Sequence, residues 1–396
     1  MDVKATLNEL ASALAAEKTA LVETSRTIWS NPEIAFTEYK ASKLLVDLLR
    51  KYGFAVEYPY AGMETAFRAE YSRGVGGATF ALAAEYDALA GIGHACGHNL
   101  IGVASVAAAY AAKTYMDKHD VTGKIVVLGT PGEEGGGGKV LMLRNSDCLK
   151  NVDAVMMSHA AAGSTRGDSG SSGIRRYEVT FHGLAAHAAG SPEKGINALD
   201  AQVLLFDAVG LYRQQMPRDA SIHGIILDGG DAANVIPDRT KCRFYLRSKQ
   251  EKIIDELYDR FSKMVEGAAL MTGCTGEIEQ YSIPYKARKP NKTLSGLFLE
   301  GARAMGTMNP TDALLEGRGS SDFGDFSHAA PGAHTAFAIA PPGTSVPGHS
   351  EAKKAHANTD FAYDRMIDTG AVLAYCALRV LTDAELRAAI RREFEN

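Results

Sequence analysis

The sequence predicts an α/β protein: a mixed sheet flanked by helices in a larger domain, interrupted by a ferredoxin-like βαββαβ insert. Three observations predict it. Between Phe54 and His159, strand-like apolar runs alternate with helical periods, and polar residues gather where the runs end. A Gly/Ser-rich crossing, Ala160 to Gly173, then changes the composition. Beyond it comes a compact βαββαβ pattern, after which the first style resumes. At 396 residues the chain exceeds one ordinary core, so two domains are expected. The larger domain is assigned to 1–172 and 287–396, and the insert to 173–286.

The elements follow from local pattern. Residues 3–30 have helical period, and NPEIAFTE (Asn31 to Glu38) breaks it. Glu38 to Tyr52 is a second helix, ended by Gly53. Phe54 to Tyr58, Thr65 to Tyr71 and Thr79 to Tyr86 read as strands, the third setting Asp87 at a strand's C-terminal edge. Gly102 to Lys118 is a small-residue helix suited to close packing on a sheet. Lys124 to Gly129 is a buried strand, Lys139 to Arg144 starts a helix, and Ala154 to Ser158 is a strand ending at His159. In the insert, Arg175–Phe181, Ser221–Leu227, Asn234–Ser248 and Gly276–Ile283 are strands, and Gly195–Met216 and Glu251–Thr272 are helices. The return brings a helix at Lys292–Met305, loops carrying SSDFGDFSH and VPGHS, a strand at Ala336–Ala340 and a helix at Tyr363–Leu381.

Composition narrows the function. Hydrophobic content of 46% and charged content of 22% are those of a soluble globular protein. A net charge of −5 with no basic tract argues against nucleic-acid or membrane partners. The five cysteines are scattered without a CxxC pair, which suits free thiols in a reducing, cytoplasmic setting. The N-terminal helix carries charges throughout and lacks a signal-peptide pattern. No apolar run approaches the roughly 20 residues of a membrane-spanning helix.

The chemistry concentrates in AEYDALAGIGHACGHN and LGTPGEEGGGGK, between Ala84 and Lys139. Cys96 and His98 in HACGHN can place sulfur and imidazole on one side of a tight turn, and Glu133 and Glu134 follow a buried strand. Thiolate, imidazole and carboxylate together suit zinc, manganese, cobalt or nickel. Adjacent acids at a dry strand end are costly unless a positive group lies nearby. One acid can hold a metal while its neighbour serves as base on metal-bound water. A metal-dependent amide hydrolase is therefore expected. His94 is read as a turn residue rather than a third ligand. GGGGK invites a phosphate-loop reading, but that motif needs Gly and Ser/Thr where this chain has Glu133 and Val140. His159 and His349 sit where loops leave the core, and position alone leaves each open between a structural and a site role. His182 and His187 lie in the insert, where a substrate contact is open to them but direct metal ligation needs domain closure. Arg175, Arg176, Arg247, Arg288 and Arg318 are all candidates for holding a substrate carboxylate.

These motifs, with MSHA, GLAAHAAGSPEKGINALDA, ANVIPD, GSSDFGDFSH and PGHS, resemble the M20 family of metallopeptidases and amidohydrolases. The likeness runs nearly end to end. It is strongest to the branch of aminobenzoyl-glutamate hydrolase subunits, aminoacylase-like amidohydrolases and M20 dipeptidases. The resemblance implies a catalytic domain with two divalent metal ions per subunit, manganese or zinc before cobalt or nickel. It also implies that the insert is a lid that dimerises. Cys96 then matches the bridging ligand, and His98, Glu134, His159 and His349 the other ligands. Glu133 matches the catalytic carboxylate, and Asp87 the acid that orients a ligand His. His187 matches the lid His that polarises the scissile carbonyl from a neighbouring subunit, and Asn234 the lid Asn near the substrate's carboxylate. Ala160 stands where the family often has Pro, loosening that turn, and Asn99 where many relatives have Asp. The substrate implied is an N-acyl or aminobenzoyl amino acid or a small peptide, and the alternatives are a dipeptidase or carboxypeptidase, or a non-catalytic binding protein on the same scaffold.

Overall fold

The computed structural model describes residues 1–312 and 319–396. The chain forms two compact units: Met1–Gly170 with Asp322–Asn396 and the segment from Lys289, and Ser171–Arg288 with the short run ending at Ser321.

The first unit begins with α1 (Val3–Ser30), whose Asp2 side chain caps the Ala5 N–H, and α2 (Tyr39–Lys51), which buries Leu45, Val46 and Leu49. Strands β1 (Ala55–Glu57), β2 (Phe67–Arg73) and β3 (Thr79–Ala84) follow. Next come α3 (His98–His119), β4 (Gly123–Gly129), α4 (Gly138–Asn145), β5 (Ala154–Ala161) and the two-residue β6 (Thr165–Arg166). Helix α3 is alanine-rich and buried almost throughout its first half, so its backbone lies close to its neighbours.

The second unit carries β7 (Gly173–His182), β8 (Ala186–His187), α5 (Ala198–Tyr212), β9 (Ser221–Asp228), β10 (Val235–Ile236), β11 (Arg239–Ser248), α6 (Glu251–Thr272) and β12 (Thr275–Gln280). Its four-stranded sheet has the order β12-β7-β11-β9, antiparallel throughout, which with α5 and α6 is the βαββαβ arrangement. Residues alternate along β11: Cys242, Phe244 and Leu246 join the helices in the core, while Arg243, Tyr245 and Arg247 occupy the other face.

The chain then adds α7 (Lys292–Met305), β13 (Pro310–Thr311), α8 (Phe323–Ala329), β14 (Gly332–Ala338), α9 (Glu351–His356), α10 (Asp360–Thr382) and α11 (Ala384–Glu395) to the first unit. The first unit's sheet has the order β1-β2-β4-β3-β5-β14-β6-β13. Strands β4, β3, β5 and β14 run parallel at its centre, and the antiparallel β1–β2 pair makes the sheet mixed.

Several boundaries differ from the sequence reading. Helix α3 starts at His98 rather than Gly102, because Gly97 adopts the left-handed conformation and launches the helix at once. Strand β3 ends at Ala84, three residues short of Asp87. Strand β5 runs on through Ala160 to Ala161, so the turn expected after His159 does not form. The strand expected over Asn234–Ser248 is split at Pro237, which has no N–H to give to a ladder. SSDFGDFSH is partly helical as α8, and α9 and α11 are helices that the sequence pattern does not announce.

Candidate metal centre

The parallel strands point their C-terminal ends at one place, where loops of an open α/β sheet collect functional groups. Glu85 and Asp87 leave β3, Glu133 and Glu134 leave β4, His159 lies on β5, and His349 lies on the loop beyond β14. Cys96 and His98 come from the turn that opens α3. A side chain at position 97 would fail on two counts. Gly97 has φ 79°, and a Cβ there would stand 2.6 Å from that of Ala160.

Ligand atoms of Cys96, His98 and His159 lie within 4.8 Å of one another, as do those of Cys96, Glu134 and His349, and those of His98, Glu133 and Glu134. Every metal-ligand candidate read from the sequence is thus in one constellation. His94 is buried in the same turn and belongs to no ligand cluster among the described residues.

Asp87 ties the two motifs together. Its Oδ1 accepts from His98 Nδ1 at 3.0 Å, and its Oδ2 accepts from the Glu134 backbone N–H at 2.9 Å. The Asp87 carbonyl also accepts from His98 Nδ1 at 3.0 Å, which fixes the proton on Nδ1 and turns the Nε2 lone pair toward the acids. His159 Nδ1 donates to the Ala160 carbonyl at 3.0 Å, which leaves its Nε2 as the nitrogen available to a metal. Glu38 holds the acid-bearing loop from the other side, accepting from Gly132 N–H at 2.8 Å and from Thr65 Oγ1 at 2.8 Å.

The electrostatics call for a cation. Burial pushes the Glu133 carboxyl well up, and Glu85, Glu134 and Asp322 add to that. Burial also raises the Cys96 thiol, with Glu134 adding. Burial opposes charge on His98, yet Asp87, Glu85 and Glu134 push its imidazole up to about 10. Asp87 is pushed up by burial, but His98 outweighs this and holds it below its ordinary value. His98 Nε2 and Glu134 Oε1 are buried without a hydrogen-bond partner. Buried polar atoms are seldom left so, and a divalent ion bound by soft sulfur, imidazole and carboxylate satisfies them. The residues therefore fit a divalent metal.

Sequence reasoning missed a second charged group beneath these loops. Lys139 Nζ donates to Glu85 Oε1 and Asp322 Oδ1, each at 2.6 Å, and all three side chains are fully buried. The GGGGK lysine is thus turned inward onto carboxylates. The available signal was a run of apolar residues around Glu85 with no evident partner for its charge.

His187 and Asn234 lie in the second unit, both exposed, on one small ribbon. His187 pairs with Val235, and Ala188 N–H donates to the Asn234 carbonyl at 2.9 Å. His187 Nδ1 accepts from the N–H groups of Ala189 and Gly190 at 3.2 and 3.0 Å, so the neutral ring carries its proton on Nε2. Of the arginines, Arg175 pairs with Asp255 at 2.5 Å. Arg176 donates to Ser282 Oγ and the Ile283 carbonyl, and Arg247 donates to Ser320 Oγ while its Nε is buried without a partner. Burial and the neighbouring Arg176 guanidinium both disfavour the charge on Arg247. Arg288 shares backbone pairing with Ser171, and Arg318 lies outside the described residues. Asn99 turns away from the constellation, donating to Ser25 Oγ and the Ala357 carbonyl.

Comparison with known proteins gives the family of the chain. The sequence profile of Peptidase family M20/M25/M40 matches residues 80–378. The Xaa-Arg dipeptidase of Mus musculus is 36% identical over 94% of this chain and 88% of its own length. A p-aminobenzoyl-glutamate hydrolase subunit of Escherichia coli is 32% identical over 74% of this chain and 64% of its own length. Among solved structures, a dinuclear metal-binding M20 peptidase of Bacillus subtilis has a TM-score of 0.69 at 19% identity, covering 93% of this chain and 99% of its own. An aminobenzoyl-glutamate utilization protein of Klebsiella pneumoniae has 0.68 at 20% identity, covering 94% and 98%. The chain belongs to the M20/M25/M40 peptidase family.

Proposed function

We propose that this metal-dependent amidohydrolase cleaves the amide bond of an N-acyl or aminobenzoyl amino acid or of a small peptide. The observation that carries the reading is the meeting of Cys96, His98, Glu133, Glu134, His159 and His349, with Asp87 fixing both a ligand imidazole and the acid-bearing loop. Cys96, His98, Glu134, His159 and His349 would hold two divalent ions, manganese or zinc, Cys96 standing in two of the candidate ligand groups. When bound, such ions supply Lewis acidity that polarises the carbonyl and makes water more acidic.

The chain's own residues do the rest. Glu133 takes the proton of the attacking water, a transfer its burial and acidic neighbours assist by favouring the protonated form, and then passes that proton to the leaving amine. His187, with Nε2–H free to donate, stabilises the developing oxyanion from the neighbouring subunit. Asn234, whose carbonyl accepts from Ala188 N–H on the same ribbon, would contact the substrate near its carboxylate. Among the described arginines, Arg247, with Arg176 beside it and an unpartnered Nε, is the one best suited to hold that carboxylate. A homodimer through the second unit is supported by β9, an edge strand that exposes Ile225, Ile226 and Leu227 by 58%, 50% and 42%. The cysteines are free and buried, which supports a reducing cytoplasmic setting. No described helix is long and apolar enough to cross a membrane.

The test pairs elemental analysis with turnover on acetyl-amino acids, aminobenzoyl-glutamate and dipeptides, for the native chain and Glu133→Gln. About two ions per chain are expected in both proteins. Turnover should fall by roughly 10²–10⁴-fold in the variant. A variant that binds metal and keeps near-normal turnover removes Glu133 from the mechanism, and a native chain that binds no metal and turns over none of the panel removes the whole reading.

A further inference from the structure

Glu85 is fully buried, and its two oxygens have different fates. Oε1 accepts from Lys139 Nζ at 2.6 Å, whereas Oε2 is buried with no hydrogen-bond partner. Oε2 lies 3.5 Å from His98 Nε2, a ring nitrogen that is itself buried and without a partner. Two such atoms facing each other demand something between them.

Asp322 makes the contrast. It shares Lys139 with Glu85, but its Oδ1 accepts from Nζ at 2.6 Å and its Oδ2 from the Lys139 backbone N–H at 3.0 Å. Both oxygens of Asp322 are hydrogen-bonded to Lys139, so Asp322 anchors the lysine. Glu85 is held by the same ammonium at one oxygen only. Its other oxygen is aimed at the histidine nitrogen assigned to metal.

A direct charged hydrogen bond is the simpler alternative, but such contacts run at about 2.7–2.9 Å, well short of the separation seen. Two ligand atoms each about 2.1 Å from one ion, at a tetrahedral angle, stand about 3.4 Å apart. The observed 3.5 Å matches that spacing, and it is tighter than the 4.0 Å from His98 Nε2 to Glu134 Oε1.

We propose that Glu85 is a further metal ligand, its Oε2 coordinating the ion held by His98 Nε2 while Lys139 and Asp322 fix its other oxygen. The inference rests on the metal-centre reading of the same site. It adds to that reading a carboxylate from the end of β3, and it gives the inward-turned Lys139 a positioning task.

The experiment is metal affinity, measured on stripped protein by titrating zinc against a chromophoric chelator. Native chain binding two ions establishes the parent reading, and binding none overturns both. In Glu85→Gln one ion should weaken by more than about 100-fold while the other is retained, since loss of an outer partner alone costs roughly 10–100-fold. A loss of about 100-fold or less makes Glu85 an outer partner and overturns direct ligation without touching the parent reading. Should Glu85→Gln fail to fold, Glu85→Asp keeps the charge and withdraws the carboxylate by one methylene. The same selective loss of one ion is then expected, and native affinity for both ions would overturn the proposal.

Discussion

Asp87 shows how much one side chain can organise: its two oxygens join a helix-opening histidine to a loop some way along the chain. The sequence made Asp87, Cys96, His98, Glu133 and Glu134 conspicuous because those residue types share one stretch and one chemistry. For Glu85, Lys139 and Glu38 spacing gives no signal of an inward turn beyond the apolar run around Glu85, because whether a charged side chain turns inward is decided by packing. Glu38 yields a test. Burial, with Asp87 adding, pushes its carboxyl up to about 7 from 4.5. A raised folded value favours the neutral acid, so its contribution to stability is complete below about pH 4.5 and is lost as pH rises through about 7. The loss is about 3 kcal/mol once complete. Glu38→Gln removes that loss, so the Tm of the variant relative to the native chain should rise between pH 5 and pH 8. A Tm difference independent of pH across that range would show that Glu38 stays ionised in the fold.

At the scale of elements, long periodic segments are legible in the sequence and short ones are not. Helix α8 is the instructive case. Phe323 and Phe326 are both fully buried one turn apart, but seven residues with Gly and Ser among them read as a loop. Helix α3 is legible but its start is not, since HACGHN offers no Ser, Thr or Asp cap before it and a left-handed Gly97 does the launching. The loop between β4 and α4 depends on a similarly tight approach. A Cβ on Gly138 would stand 1.8 Å from the Pro131 carbonyl oxygen, so Gly138→Ala forces the segment that carries Glu133 and Glu134 to open. Overpacking of this kind costs about 1–3 kcal/mol. The variant should melt lower and bind metal more weakly, as thermal unfolding and elemental analysis would show. Unchanged metal content would mean that the acids are held by Asp87 and Glu38 alone.

At the scale of the molecule, the α/β class and the presence of an insert are legible from a change of style at a Gly/Ser-rich crossing. The surface proposed to meet a second copy is not, because an exposed apolar edge strand looks like any buried one in sequence. Strand β9 alternates no polar face over Ile225, Ile226 and Leu227. Replacing Ile225 and Ile226 by Lys should leave a folded monomer by light scattering, with turnover lost because His187 is then withheld from its neighbour. A monomer that keeps full turnover would place His187 outside the reaction or acting within its own chain. The insert also sets an order of events during synthesis. The proposed ligands Cys96, His98, Glu134 and His159 precede it, and His349 follows it. At roughly 5–20 residues per second, the ribosome delivers the last ligand about 10–40 seconds after the rest. An emerging polypeptide therefore meets cellular metal with an incomplete set of the proposed ligands, and hydrolytic competence waits until His349 has been made.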